Sequence, residues 1–520
     1  MAVGYRSSSS TEQPAWLRLA VPSVADAFFL AVLGAVVFTP LAVRLLGDAG
    51  VGWHIRTGQL ILQTHAIPRL DPFSSTMAGK PWFAWEWLYD LGVGELDARL
   101  GLNGVAWFSG VVIAAIFAGT LHWLIRRGVN LLAALTLVLL ALGASMIHLL
   151  ARPHLLSWLF VVIWFVILDF CERNCLSRRG RIWLWILPLL MLVWANVHGG
   201  FLIGFVLLIT FWLAAAWNWF RSNGDRIEES LQKIAARHLV FDLTWVGLLS
   251  AAASLVNPYG WKLHAHIYSY LSDRFLMDHI QEFQSPDFHG VAEKCFALLV
   301  LITLGTLAWR RRTAPRSGVL LMLFSVYTGL YSSRNLPVSS LLLVMVVGPL
   351  FSLSPERGFF QRMAALQSGL RRHIWPAAAI LLTLVITTKG GHAGSGRWMD
   401  AHFDSKRMPV AAVDYLEKRG VKAPVLTPDA WGGYLIYRRY PLEQVVVDDR
   451  HDLYGRQFFK SYLKMVRAEQ GWQDFLQERA VQSVLFPRDA ALTSLLMESA
   501  NWKAVYRDDV AVIFERGGSR

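Results

Sequence analysis

Charge is scarce in this chain: Asp, Glu, Lys and Arg make up only 17% of its 520 residues, against 54% hydrophobic residues. That balance points away from a water-soluble protein. Cysteine is scarcer still. Cys171, Cys175 and Cys295 are the only three, which excludes a disulfide framework and a C-x-x-C metal pair and leaves the redox compartment open. There is no G-x-G-x-x-G or Walker-type loop to cradle a nucleotide, and no tandem repeat. Nor is there a small-residue cleavage site after the first apolar run, which starts near Ala27 and is long enough to span a bilayer; it reads as a first span.

What is present in quantity is apolar runs. They lie near 27–46, 104–125, 130–149, 155–170, 182–195, 201–220, 239–256, 296–309, 318–333, 336–353 and 375–388, lengths suited to a hydrocarbon core of roughly 30 Å. The expectation is a mainly α, polytopic bundle of about eleven membrane helices.

Alternate connections are basic: Arg126 and Arg127; Arg173, Arg178, Arg179 and Arg181; Arg221, Arg226, Lys233 and Arg237; Arg310, Arg311, Arg312 and Arg316; Arg357, Arg362, Arg371 and Arg372. The positive-inside bias places these in the cytoplasm, with the amino terminus inside and the carboxyl terminus outside. The net charge of +13 is then a topology signal, and no nucleic-acid partner is read from it. The expected organisation is a cytoplasmic segment 1–26, a membrane part 27–389 with outer loops 47–103 and 257–295, and an external part 390–520.

The tail alternates short apolar stretches with amphipathic ones. "APVLT", "QVVVDDR", "SVLFP" and "WKAVYRDDVAVIFER" read as strands, while 407–420, 454–480 and 489–500 read as helices. That pattern predicts a compact α/β unit with a mostly parallel sheet.

The polar groups beside the membrane gather on the outer face. "GDAGVGWHIRTG" follows the first span, and its Asp48 either caps the helix that comes next or holds a carboxylate ready for an acceptor's proton; both roles can coexist. Trp53, His54 and Arg56 share that helix, with Arg56 able to reach a lipid phosphate. Arg69, Asp71, Lys80, Glu86 and the tryptophans of "GKPWFAWEWL", Trp82 and Trp85 among them, follow, and their flat faces suit either an interface or a sugar ring. The short outer turns carry Arg152 and His154, Asn196 and His198, and Arg334 and Asn335. Several such turns on one face suggest a shared outward cavity for an anion, a lipid phosphate or pyrophosphate, because Arg offers forked donors to phosphate oxygens. The loop after the seventh span adds His264, His266, Glu282, Asp287 and His289 with no convincing metal-binding spacing, so a divalent metal is the lesser reading and no other cofactor is expected. In the tail, Asp429, Trp431, Asp448, Asp449, Arg450 and Asp452 stand beside strand ends, as binding groups or as salt bridges to the membrane part.

The first-loop helix, the "GKPWFAWEWL" lead into the second span and the multispan bundle with an external tail resemble the GT-C superfamily of integral-membrane glycosyltransferases. "GWH" at 52–54, "RPH" at 152–154, "NVHGGF" at 196–201, "NPYGW" at 257–261, "RN" at 334–335, "WGGYL" at 431–435 and "DRHDLYG" at 449–455 are similar to the motifs of a bacterial group within it. The resemblance implies inverting transfer of a sugar from a polyprenyl-phosphate-linked donor to a glycan, lipid or protein acceptor outside the bacterial inner membrane. It implies a first-loop acid as base or acceptor-orienting group, by position Asp48, with Asp71, Glu86 and Glu282 as competing assignments. Arg152, His154, His198, Arg334, Asn335 and Arg56 would hold the donor phosphate; Trp53, His54, Trp82, Trp85, Asn196 and Glu282 would contact substrate. Members often carry a second acid two residues after the first. Here that residue is Gly50, which speaks against a paired-acid or metal-binding version. A lipid-linked-sugar flippase, or a non-catalytic scaffold for the tail, is the alternative.

Overall fold

The computed structural model describes residues 21–221, 227–309, 314–352, 374–420 and 424–517. The basic positions Arg226, Arg310 to Arg312 and 357–372, and most of the amino-terminal segment, lie outside the described residues.

Each apolar run is helical in its described part, the first of them as two helices, Val24–Phe38 and Leu41–Leu45. α1 (Val24–Phe38) opens with a reciprocal cap, in which Ser23 Oγ accepts the Asp26 amide at 3.1 Å and the Asp26 carboxylate accepts the Ser23 amide at 2.9 Å, satisfying two of the free amides of a helix start. α2 (Gly50–Thr64) is the first-loop helix. α3 (Trp87–Arg126) contains a break at Gly101, where φ is 63°, a conformation glycine adopts without a Cβ penalty. The bundle continues through α4 (Leu131–Ser145), α5 (His154–Arg173), α6 (Leu187–Val197), α7 (Leu202–Arg221) and α8 (Ile227–Ser254). After α9 (Trp261–Ser272) and α10 (Arg274–His279) come α11 (Val291–Trp309), α12 (Arg316–Tyr331), α13 (Leu336–Val347) and α14 (Ile374–Thr388).

Among the described residues, eight helical segments are long and apolar enough to cross a membrane by length and composition; α1 and α14 are apolar but shorter, and α12 has 16 residues. A count of eleven crossings stays an expectation. All twelve residues of α13 are buried, so this helix, apolar on every side, is the bundle's axis. The outer helices instead expose Leu189, Ile209, Trp217, Leu248, Leu301 and Leu323, a surface that lipid and not water would cover. At one end of the bundle, arginines pair with the acids of the spans. Asp169 meets Arg127 at 3.5 Å and Arg173 at 2.6 Å, and Asp242 meets Arg181 at 2.5 Å.

The tail folds over the other end. A small hairpin, β1 (His392–Ala393) with β2 (Gly396–Arg397), precedes α15 (Val410–Arg419), β3 (Val425–Leu426), α16 (Asp429–Arg439), α17 (His451–Val466), α18 (Trp472–Glu478), β4 (Ser483–Pro487), α19 (Ala491–Glu498), β5 (Trp502–Arg507) and β6 (Ala511–Arg516). The sheet order is β3-β4-β6-β5, parallel only between β3 and β4. The expected mostly parallel sheet is therefore corrected. The Asp508 carboxylate accepts the Val510 and Ala511 amides at 2.8 and 2.7 Å, folding "WKAVYRDDVAVIFER" into a tight hairpin that forces β5 and β6 antiparallel. "QVVVDDR" gives no strand, only bridges from Val445 to Val425 and to Ser74 of the first outer loop. The long helix expected over 454–480 is divided, because Gly471, at φ 84°, starts α18 afresh. One hydrophobic core runs from the bundle into the tail, from Leu33 and Leu342 to Tyr434 and Ile513.

Candidate active site

Glycines bring the tail onto the first-loop helix. A Cβ on Gly52 would lie 2.2 Å from the Gly433 carbonyl, and one on Gly433 would lie 2.3 Å from that of Ala49. α2 and α16 thus touch backbone to backbone, which accounts for the glycines of "GVGWH" and "WGGYL". Beside them the outer loop joins the tail: Ser75 donates its amide to the Val445 carbonyl at 2.8 Å and Val445 donates to that of Phe73 at 3.0 Å. Arg450 closes the seam. It donates to Asp71 at 2.8 Å and to Asp448 at 2.7 Å, with its guanidinium 4.6 Å from the Trp82 ring centre.

With Asp448 turned into that buried cluster, Asp449 points the other way, into a cavity of about 1060 Å³ between the bundle end and the tail. Its wall includes Asp48, Trp53, Glu86, Arg152, Glu282, Arg334 and Asp449. Asp48 Oδ1 accepts the Gly50 amide at 2.7 Å, capping α2. Its other oxygen lies 3.2 Å from Arg152 Nη1, which is also 3.9 Å from Asp449 Oδ2. Trp53 Nε1 donates to Asp449 Oδ1 at 2.9 Å. Arg152 is aimed by its neighbour, since the Ala151 amide donates to Leu45 and the Ala151 carbonyl accepts the Tyr89 hydroxyl at 2.7 Å.

These neighbours set the charges. Burial works against the Arg152 cation, but Asp48 and Asp449 outweigh it and push its pKa above the usual arginine value. Burial raises the Asp449 carboxyl to about 7, with Asp48 and Asp448 adding to the rise and Arg152 opposing it. Burial alone would raise Glu282 too, yet Arg334, at 2.5 Å, and then Arg152 hold it at about 2. Glu86, beneath the cavity, is lifted to about 7 by burial.

Under that floor runs a buried polar chain. His54 Nδ1 is 2.6 Å from Asp90 Oδ1, Glu86 stands 3.7 Å from His54 and 3.6 Å from His198, and His198 Nδ1 pairs with Ser157 Oγ at 2.8 Å. Burial first, then Arg152 or Arg334, keeps both imidazoles far below their usual pKa, hence neutral.

The residues picked out in the sequence divide accordingly. Asp48, Trp53, Trp82, Trp85, Glu86, Arg152, Glu282 and Arg334 reach the cavity. Asp287, Asp429, Trp431, Asp449, Arg450 and Asp452 line it as well, and the other expected residues are engaged elsewhere in the fold. Asp71 is wholly buried, accepting the Phe73 and Ser74 amides and pairing with Arg450. Arg56 is spent on the Tyr437 carbonyl at 2.7 Å and on Gln59. Asn196 takes the Trp87 indole at 2.8 Å and donates to Val256. His154 bonds to the His148 carbonyl at 2.8 Å, and Asn335 donates to that of Thr328 at 3.2 Å. His54 and His198 flank Glu86 from below. Trp82 is lined up under Arg450, so one of its faces is taken. Sequence reasoning missed how Asp449 joins Asp48 across some 400 positions, and left out Tyr270 and His451, which also line the cavity. The missing acid at Gly50 was the available signal.

Among the described residues, no three His, Cys, Asp or Glu side chains are arranged to hold a metal. Asp48 and Asp449 already face the Arg152 cation, so the pair as it stands does not fit one.

No protein family matches the chain by sequence, and no curated relative is found. Its fold, however, is similar to that of solved membrane proteins. The oligosaccharyltransferase of Archaeoglobus fulgidus in its apo form aligns at 10% identity over 91% of this chain and 70% of its own, with a TM-score of 0.55. The same archaeal protein with an inhibitory peptide and a dolichol-phosphate aligns over 91% and 69%, again at 0.55. ArnT of Cupriavidus metallidurans, bound to undecaprenyl phosphate, aligns at 12% identity over 97% and 98%, with a TM-score of 0.46. The chain shares the overall fold of the archaeal oligosaccharyltransferase.

Proposed function

We propose that this protein is a membrane glycosyltransferase that moves a sugar from a polyprenyl-phosphate-linked donor to an acceptor outside the membrane. The observation that carries the reading is the cavity at one end of the bundle, where Arg152 stands between Asp48 of the first loop and Asp449 of the tail, and Arg334 pairs with Glu282 of the later outer loop. The archaeal fold neighbour was solved with a dolichol-phosphate, and a polyprenyl phosphate is the matching occupant here. Residues 27–389 are the membrane part and 390–520 an extracytoplasmic part that closes the cavity, with the amino terminus in the cytoplasm.

In this reading, the acceptor attacks the anomeric carbon as its bond to the phosphate oxygen breaks. Arg152 and Arg334 meet the charge that builds on the departing phosphate, the preorganised electrostatics on which such a step depends. Asp48, fixed by the Gly50 amide and Arg152, orients the acceptor or takes its proton. Trp85, on the cavity wall, offers a flat face to a sugar ring. A flippase is disfavoured because the span acids Asp169 and Asp242 are already paired with arginines at the far end of the bundle, leaving them no role at mid-depth.

To test this, the full-length protein in liposomes is given polyprenyl-phosphate hexoses and pentoses with an envelope glycan extract, and released polyprenyl phosphate is counted. Asp48→Asn is expected to lower release by roughly 10²-fold or more while donor binding persists. Unchanged release by the variant would remove Asp48 from the reaction; donor translocated by the wild type with no glycosylated product would establish the flippase.

A further inference from the structure

We infer that Asp449, carried by the tail, is the catalytic base of the transfer site, completing with Asp48 a carboxylate pair built from two separate parts of the chain. The inference rests on the transfer reading above and assigns the acceptor's proton within it.

The argument begins with the glycine where a second acid is missing. A Cβ on Gly50 would fall 2.5 Å from Asp449 Oδ2, 2.8 Å from Asp48 Oδ1 and 3.3 Å from Arg152 Cζ. A side chain there would have to push aside the carboxylate that the tail brings to this place. The tail is also fixed well enough to deliver it. α16 lies backbone to backbone on α2, and the Asp71–Arg450–Asp448 cluster anchors the residues on either side. A group held this way by rigid elements keeps the geometry a reacting pair needs.

The two carboxylates are not equivalent. Asp48 gives one oxygen to the Gly50 amide and the other to Arg152 at 3.2 Å, so both of its oxygens are engaged. Asp449 takes only the Trp53 indole at close range, and its Oδ2 stands 3.9 Å from the same guanidinium. The charged groups facing Asp449 are Asp48 from the first loop, Arg152 from the turn before α5, and Asp448 and His451 from its own segment. Two acids sharing one cation cannot both be fully compensated, and the looser of them holds a proton most readily. Burial and this crowding bring its pKa to about 7, suited to exchanging a proton at physiological pH.

The step balances simply. The oxygen of an acceptor hydroxyl bonds to the anomeric carbon as the bond from that carbon to the donor phosphate oxygen breaks. The bonding electron pair leaves with the polyprenyl phosphate toward Arg152 and Arg334, and the hydroxyl proton passes to Asp449 Oδ2. Asp48 keeps Arg152 in place.

The same liposome assay, run between about pH 5.5 and 8.5, decides the matter. Asp449→Asn keeps an oxygen for Trp53 and should fold, as its melting temperature and gel-filtration profile will report. Wild-type turnover is expected to rise through about pH 7, since the base must be ionised. Asp449→Asn should lose roughly 10²- to 10⁴-fold and leave a residual rate flat with pH, while Asp48→Asn, slower overall, keeps the rise. Asp449→Glu should keep a rising limb at a displaced pH. An Asp449→Asn protein that retains the rise overturns the inference and spares the transfer reading. A wild type that releases no polyprenyl phosphate from any donor overturns both.

Discussion

Arg450 holds two carboxylates from distant parts of the chain where water does not reach: its side chain is 2% exposed, and those of Asp71 and Asp448 are 0%. Burying such charges is costly unless each is answered, and removing one partner leaves the rest uncompensated. Here Tyr454 also donates to Asp448 at 3.0 Å, and the Phe73 and Ser74 amides reach Asp71 at 3.1 and 3.0 Å, so the negative side is well satisfied only while the guanidinium is present. Arg450→Met should destabilise the protein by about 3 to 5 kcal/mol, read from denaturant unfolding in detergent. Asp71→Asn, whose amide oxygen still accepts from the loop, should lose less. A change below about 1 kcal/mol for Arg450→Met would mean that the seam is held elsewhere.

Between elements, the closest joint is α2 on α16. Placing a Cβ at Gly433 puts it 2.3 Å from the Ala49 carbonyl oxygen, a backbone atom that cannot swing aside, whereas Gly92, in the first turns of α3, has nothing within 4 Å. Gly433→Ala should therefore lower the melting temperature and reduce turnover at least tenfold, because lifting α16 by even about 1 Å moves Asp449 away from Arg152. Gly92→Ala should stabilise slightly, by about 0.5 to 1 kcal/mol. Equal behaviour of the two variants would refute the joint. The element scale is also where sequence was most and least readable. Every apolar run became helical in its described part, since long runs need only a sequence-local pattern to fold that way. The direction of the sheet was not readable, because β3 has two residues and the hairpin of β5 and β6 depends on Asp508 capping a turn. At the site, Asp48, Arg152 and Arg334 could be found because each stands at an outer end of an apolar run, and Glu282 because it lies in an outer loop. Asp449 could not be placed, since its partner lies 401 positions earlier and they are joined by tertiary contacts such as the packing of Gly52 on Gly433.

For the whole molecule, the distribution of charge bears on the proposed orientation. The end of the bundle tied by Arg127, Arg173 and Arg181 carries the described basic connections, and the cavity and tail occupy the other. Short arginine-rich loops stay cytoplasmic during insertion, so the proposed transfer reading expects the tail outside. Its exposed surface, at Glu469 for example, and the basic turn at Ser177 then lie on opposite faces. In a protein with Cys171, Cys175 and Cys295 replaced by serine, Glu469→Cys should react in spheroplasts with a membrane-impermeant maleimide. Ser177→Cys should react only after the membrane is opened. The reverse pattern would place the cavity in the cytoplasm, where an acceptor would have to be cytosolic, and the proposed transfer outside the membrane would fall with it. Labelling of both sites in intact spheroplasts would mean that this end of the bundle does not cross at all.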